Sequence, residues 1–466
     1  MDNSDRRELG KGMMGDLLNR EYRDDRMTSE IREQMDEMDE HRPYFTYWVC
    51  FVQIVVYIVS VAVYGIAPIG IAETQVQGEV VKPNLAIEKV SYYEKDNLWI
   101  GPRQADLIHM GAKYSPCMRK DENIERAIRM DRDKERRTAC CINNDGCGCV
   151  KAQRINAQFC RKPASTSPFE WADDITEWPI CTSSNEANEK DEHKHMLCKV
   201  AGRPCCVSIQ GECIITTREY CDFRKGYFHE NASLCSQVQC MNEICGMIPF
   251  LEPSRPDQFY RLWLSLFVHA GLFQLIISVL FQFFMMRDLE KLAGWLRIAI
   301  IYLGSGVAGS LSSAIFLPYH VEAGPAGAQF GLLACLVVEI LHNWYILASP
   351  WWAMGKLIVI IIVLFIVGLL PFIDNYAHLI GLVFGFLLSF SLLPYVNFNT
   401  LDRRSKIIGI VLSLIVSAGL FALLIVLFYV TPVYNCPYCH YFNCIPFTDK
   451  FCQTMEVKIG RENSYQ

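Results

Sequence analysis

Seven stretches of this sequence are almost free of charge, strongly apolar, and each about long enough to cross a lipid bilayer. They lie near residues 47–67, 262–286, 298–317, 326–347, 354–370, 376–395 and 407–430. A bilayer core offers no water to backbone N–H and C=O groups, so such runs fold as helices that satisfy their own hydrogen bonds. The chain is 51% hydrophobic yet has 44 Lys+Arg and 50 Asp+Glu, which requires the apolar residues to be gathered in blocks. The expected fold class is an all-α polytopic membrane protein. No charged side chain lies between Pro43 and Ala72, and Tyr44, Phe45, Tyr47 and Trp48 cluster there like an interfacial aromatic belt.

Loop charges predict orientation. Arg287, Lys291 and Arg297 fill the loop after the second stretch, Lys356 follows the fourth, and Arg403, Arg404 and Lys406 follow the sixth. The loops at 318–323 and 372–375 hold no Lys or Arg. Basic loops favour the cytosol, so the amino terminus is expected there and the carboxyl terminus across the membrane. Met1 to Arg42 carries eight Lys/Arg and thirteen Asp/Glu and does not open with a cleavable signal peptide. Residues 1–46 therefore read as a short soluble tail, and Asp24 to Glu40 as a solvated juxtamembrane segment in preference to an amphipathic partner helix. The expected organisation continues with a first span at 47–67, a cysteine-rich extramembrane domain at 68–257, a six-span core at 258–432 and a tail at 433–466. A net charge of −6 with no basic, aromatic stripe argues against nucleic-acid binding.

Of the 21 cysteines, only Cys50 and Cys335 lie inside apolar stretches. The remainder are Cys117, Cys140, Cys141, Cys147, Cys149, Cys160, Cys181, Cys198, Cys205, Cys206, Cys213, Cys221, Cys235, Cys240 and Cys245, then Cys436, Cys439, Cys444 and Cys452. Such density, with the glycosylation sequon at Asn231, fits disulfides in an oxidising lumen or cell exterior, on the side that the loop charges assign to both clusters. Nineteen is odd, so one cysteine stays free or pairs between chains if the rest are bridged. Disulfides are favoured over zinc at Cys140, Cys141, Cys147 and Cys149, so no metal is expected. The Cys436-Pro437-Tyr438-Cys439-His440 run matches redox and haem-attachment patterns, but its short tail lacks the surrounding domain either requires, and no cofactor is expected.

Two motifs point to a family. Gly324-Pro325-Ala326-Gly327 opens the fourth stretch, and His378, with Gly381 and Gly385 three and seven residues on, lies in the sixth. Together they resemble the rhomboid intramembrane proteases, which carry Gly-x-Ser-Gly and a His in those places. Small residues at such intervals let helices approach closely, and the resemblance implies a serine hydroxyl on one helix activated by the imidazole on the other. Here the serine position is Ala326, and a methyl group cannot attack a carbonyl. Cys335, nine residues on and roughly 13 Å along the helix, cannot replace it. Pro325 removes a backbone donor where an oxyanion would be held. His269 matches a rhomboid histidine near the cavity, while Gln274 and Ser278 stand where proteolytic members place a further histidine and an asparagine. Glu339 is expected to snorkel at the interface.

Outside the stretches the resemblance narrows. His41 to Trp48, Tyr64 to Pro68, Trp99 to Arg103, Gly111 to Cys117, Gly202 to Cys206 and Thr217 to Cys221 are similar to segments of the inactive rhomboids, or iRhoms, which also replace Gly-x-Ser-Gly with Gly-Pro-x-Gly. The resemblance implies a six-span rhomboid-like bundle, an added first span, a disulfide-stapled luminal domain, and no enzymatic activity. It further implies residence in the endoplasmic reticulum, Golgi or plasma membrane. Its partners would be single-span clients, namely epidermal-growth-factor-type ligand precursors and a disintegrin metalloprotease sheddase, whose trafficking, stability or shedding it controls, and through them growth-factor receptor signalling. Membrane lipid surrounds such a bundle, and a homo-oligomer is compatible with it. Many iRhoms have cytosolic tails of several hundred residues; about 46 residues precede the first stretch here, which leaves adaptor control through such a tail without support. The alternatives are an active rhomboid protease, opposed by Ala326, and a seven-span receptor or channel, opposed by the Gly324–Gly327 and His378 pair.

Overall fold

Each apolar stretch forms a helix because alternating polar and apolar faces are absent and only intrasegment hydrogen bonds serve the backbone. In the computed structural model, six helices among the described residues are long and apolar enough to cross a membrane. These are Tyr44–Tyr64, Leu272–Ala293, Trp295–Phe316, Pro350–Val367, Asn375–Leu392 and Thr400–Tyr429, the last from Arg403 onward. Ala326–His342 is a shorter apolar helix of 17 residues with most of its side chains buried. We number the seven in chain order as first to seventh spans, Ala326–His342 being the fourth. The described residues are 17–18, 21–38, 41–71, 73–82, 86–135, 138–143, 149–153, 160–161, 182–183, 197–198, 202–232, 234–369, 373–398, 400–433 and 439–443.

The second span departs from its expected limits of 262–286. A short helix, Arg261–Leu264, is followed by a bend, and the span proper begins at Leu272 and runs to Ala293 through a π-helical turn at Gln282–Met286. The delay has a backbone cause: the N–H groups of Leu272 and Phe273 donate to the carbonyls of Ile100 and Trp99, at 2.9 and 3.3 Å. Gly101 lies so close to Ala270 and Gly271 that a side chain there would enter their backbone. Asn97 Nδ2 donates to the carbonyls of Pro102 and Ala270. The Trp99–Arg103 motif is thus a backbone fit onto the bend.

The chain divides into two compact units. The first holds the seven helices together with residues 1–71 and 96–115. At its centre the third, fourth and sixth spans meet through glycines: a side chain at Gly381 would strike the backbone of Gly327, one at Gly385 that of Gly331, and one at Gly331 the side chain of Ser305. Such contact distances let backbones interlock where lipid supplies no hydrophobic drive between helices.

The first span is fastened by polar groups. Glu290, fully buried, accepts from Phe45 N and Thr46 N at 2.8 Å and from Thr46 Oγ1 at 2.6 Å. A carboxylate there satisfies donors at the helix start and opposes the positive end of its dipole. Deeper in, Gln53 and Gln282 both donate to the Tyr302 hydroxyl, at 3.2 and 3.0 Å.

The expectation of a solvated segment at Asp24–Glu40 is corrected. Residues Ser29–Asp36 form a helix capped by Thr28, and its Ile31 and Met35 are buried with Ile346 and Val396. The spacing of four places both on one face, and those two contacts suffice to seat an otherwise acidic helix. Gln34 exchanges two hydrogen bonds with the Asn397 backbone, at 3.1 and 2.9 Å. Upstream, Arg23 N donates to Ile346 O and Ala348 N to Glu21 O, while Leu18 joins the main core.

The second unit comprises residues 72–95 and 116–258 in its described part. An antiparallel hairpin, Glu73–Val81 with Ile87–Lys95, is held to the helix Arg218–Phe223. Thr217 Oγ1 donates to Val81 O at 2.6 Å, Glu219 accepts from Val81 N, and Phe223 covers Gly78. Disulfides join Cys117 to Cys245, Cys205 to Cys221, Cys206 to Cys240 and Cys213 to Cys235. Cys439 is also disulfide-bonded, and Cys50 and Cys335 are free and buried. Cys140, Cys141, Cys149, Cys160 and Cys198 lie on strands described by backbone alone. Cys147, Cys181, Cys436, Cys444 and Cys452 fall outside the described residues. Asn231 is exposed in a turn.

Candidate functional site

The fourth span begins at Ala326, behind a loop whose geometry its own sequence dictates. Gly324 has φ of 114°, a conformation that favours glycine, and Pro325 forms the cap. Gly324 N donates to Ser265 O at 2.8 Å, which fastens this loop to the bend before the second span. Gln274 spans the same gap: its Oε1 accepts from Ala270 N and its Nε2 donates to Ala323 O, both at 2.7 Å. The Gln274 amide lies against Gly324 and leaves no room for a side chain there. The position that proteolytic rhomboids give to an oxyanion-binding histidine is therefore filled by an amide that the protein's own backbone saturates.

His378 comes to the same place from the sixth span. Asp374 caps this helix by accepting from Tyr376 N and Ala377 N, at 2.8 and 3.3 Å. The imidazole of His378 is buried and lies flat on Phe330, one turn along from Ala326, with centroids 4.1 Å apart and planes 16° apart. Phe365 meets it edge-on at 6.1 Å. Its Nδ1 is 3.1 Å from Asn375 Oδ1. Asn375 in turn donates through Nδ2 to the carbonyls of Phe365 and Phe442 and accepts no freedom of its own, since Gly368 packs directly against its amide oxygen. Gly327 approaches Gly309 and Ala377, so the spans bearing Ala326 and His378 are in backbone contact. The imidazole is thus clamped by rings and an amide beside a methyl group, an arrangement able to pack and hydrogen-bond but without a nucleophile.

His269 lies in the bend before Leu272, 1% exposed, and neither ring nitrogen has a hydrogen-bond partner. Burying an imidazole unpartnered costs free energy of the order of a lost hydrogen bond, roughly 1–3 kcal/mol. Ser278 is buried on the second span. Glu339 is half-buried near the end of the fourth span and accepts from Asn343 Nδ2 at 3.2 Å. Cys335 is fully buried within the core and turned away from the site's approach.

Charged residues that the sequence does not single out buttress the loop. Lys113, fully buried, pairs its backbone with Glu322 and donates through Nζ to Leu317 O at 3.2 Å, with Glu322 Oε2 at 3.9 Å. Burial pushes Glu322 up to about 8, reinforced by the nearby Asp374 carboxylate and opposed by Lys113. Burial likewise lowers Lys113. Arg261, also buried, donates to the carbonyls of Ile108 and Ala112 at 2.6 and 2.8 Å. Only their placement in three dimensions reveals these roles; in sequence they read as loop charges.

Comparison with known proteins agrees with this geometry. The Rhomboid domain model matches residues 256–395, which contain the second to sixth spans. Inactive rhomboid protein 1 of Danio rerio is 48% identical over 487 residues, covering 97% of this chain and 56% of the relative. Its Homo sapiens counterpart is 49% identical, with 97% and 57% covered, and Homo sapiens inactive rhomboid protein 2 is 46% identical over 489 residues, with the same coverage. The chain thus spans a little over half the length of these relatives, and their names mark them as without protease activity. Carrying a rhomboid domain and aligning along nearly its whole length, the chain belongs to the inactive rhomboid family.

Proposed function

We propose that this protein is a rhomboid pseudoprotease that binds single-span membrane clients without cutting them. The observation that carries this reading is the clamped His378: its ring is stacked on Phe330 and bonded to Asn375, and the residue the family motif aligns with the nucleophile is Ala326. Gln274 supports it by occupying the space an oxyanion would need.

Binding surface remains when chemistry is removed. The fifth span buries only Ala353 and Leu357, and the second exposes Phe273, Ile276, Ile277 and Leu280. A client helix docked on such faces is held by packing and interhelical hydrogen bonds of about 1–2 kcal/mol each. In this reading the cysteine-rich unit and the carboxyl-terminal tail lie in the lumen of the secretory pathway, and the amino terminus lies in the cytosol. The clients are growth-factor ligand precursors and a metalloprotease sheddase, whose export, stability or shedding follows from being held, and growth-factor receptor signalling changes with them. Replacing a client's transmembrane segment by an unrelated one should weaken co-precipitation several-fold. Undiminished recovery of the swapped client would refute docking through the spans.

A further inference from the structure

A cavity of about 450 Å³ lies at the opposite end of the fourth span from Ala326, outside the pseudo-active site. Arg23, Arg26 and Lys406 line it together with Trp344, Tyr345 and Trp351. It is framed by the end of the fourth span at His342, the start of the fifth at Pro350, and Phe398 just before the seventh. Its other wall is the amino-terminal segment, fixed by Arg23 N donating to Ile346 O at 2.8 Å and Arg26 Nη1 to Tyr345 O at 2.9 Å.

Its chemistry is one-sided. Among the described residues no carboxylate lines it; Asp25, exposed, pairs with Arg23 from outside at 3.0 Å. Arg26 stands 4.9 Å over the Tyr345 ring and Lys406 4.8 Å over Phe398, so aromatic faces hold both cations in place. Trp351 and Trp352, 79% and 62% exposed at the start of the fifth span, mark the depth at which lipid headgroups lie. Basic pockets between spans at that depth suit anionic headgroups, and arginine forks match phosphate oxygens in pairs.

We propose that this cavity binds the phosphorylated headgroup of an anionic lipid of the phosphoinositide class, with Arg23, Arg26 and Lys406 meeting its phosphates. Three cations and this volume exceed what one phosphate requires. The acyl chains would run along the apolar outer faces of the fifth and seventh spans, where Val359, Ile362, Val411 and Ile415 are exposed. An occupant touching both Arg26 and Lys406 would bridge the amino-terminal segment to the seventh span. The assignment of this face to the cytosol rests on the proposed orientation; the cavity and its ligand class do not.

The test is native mass spectrometry of the full chain in detergent, titrated with short-chain phosphatidylinositol bisphosphate, short-chain phosphatidylcholine and free inositol trisphosphate. The expected result is one bound phosphoinositide, held at least about tenfold more tightly than either other probe, with Arg26→Gln and Lys406→Gln each weakening it by about tenfold through a lost charge-assisted bond. Arg287→Gln, on another loop, should leave binding unchanged. Lys406→Gln keeps the test informative if Arg26→Gln frees the segment. Equal binding of phosphatidylcholine, or native affinity in both variants, overturns the proposal. Equal binding of free inositol trisphosphate overturns the lipid assignment. Because no client is present, failure here is separate from failure of the client-binding reading.

Discussion

Glu290→Gln tests how the first span is joined to the rhomboid-like core. The native carboxylate, fully buried, accepts three hydrogen bonds at 2.6–2.8 Å from the start of that helix. Glutamine preserves the shape, but its nitrogen faces donors and its charge no longer opposes the helix dipole. Hydrogen bonds to charged groups are worth about 1.5–3 kcal/mol each, and an anion at a partly buried helix start up to about 2 kcal/mol. Allowing the amide oxygen to keep part of the network, the expected loss is about 2–4 kcal/mol. At roughly 2–4 °C per kcal/mol for a unit of this size, the apparent melting midpoint should fall by about 5–15 °C. The assay is thermal challenge of the detergent-solubilised protein followed by size-exclusion chromatography. Lys291→Gln on the same loop, a largely exposed partner of Asp288 at 3.6 Å, is the control and should move the midpoint little. A Glu290→Gln midpoint within 1–2 °C of native, about what half a kcal/mol would give, would refute the capping account.

Three further outcomes follow from the same geometry. Ala326→Ser alone should produce no cleavage of a rhomboid reporter, because Pro325 and the saturated Gln274 amide still deny the oxyanion its donors; fragments from that single variant would overturn the argument. Gly381→Ala should cost about 1–3 kcal/mol by overpacking against the Gly327 backbone, read as a lowered midpoint, and an unchanged midpoint would show that the interface can yield. The third concerns pH: Glu322 holds its proton in the folded state up to about 8 but releases it near ordinary carboxylate values when unfolded. Its contribution is therefore full at low pH and is lost as pH rises toward 8. Midpoints measured from pH 5 to 8 should decline more steeply in the native protein than in Glu322→Gln, whereas parallel curves would show that Glu322 does not titrate in this window.

The spans were legible because charge-free length alone specifies a bilayer helix, and the glycines at 381 and 385 because close helix approach needs residues without side chains. The absent nucleophile was legible as a single letter at Ala326. The clamp on His378 was not, since Phe330, Phe365 and Asn375 are ordinary residues until the fold gathers them. Nor was the seating of Ser29–Asp36, where two apolar residues amid acidic ones carry too weak a periodic signal. Glu290, Lys113 and Arg261 read as loop charges because their partners are backbone atoms far away in sequence, which no local pattern encodes.

The most direct test of non-proteolytic client binding is co-precipitation from cells expressing this chain with an epidermal-growth-factor-type ligand precursor, with the same samples blotted for cleaved fragments. The account predicts recovery of the intact precursor without fragments, unchanged in cleavage pattern by His378→Ala. Fragments that appear with the native chain and vanish with His378→Ala would contradict it.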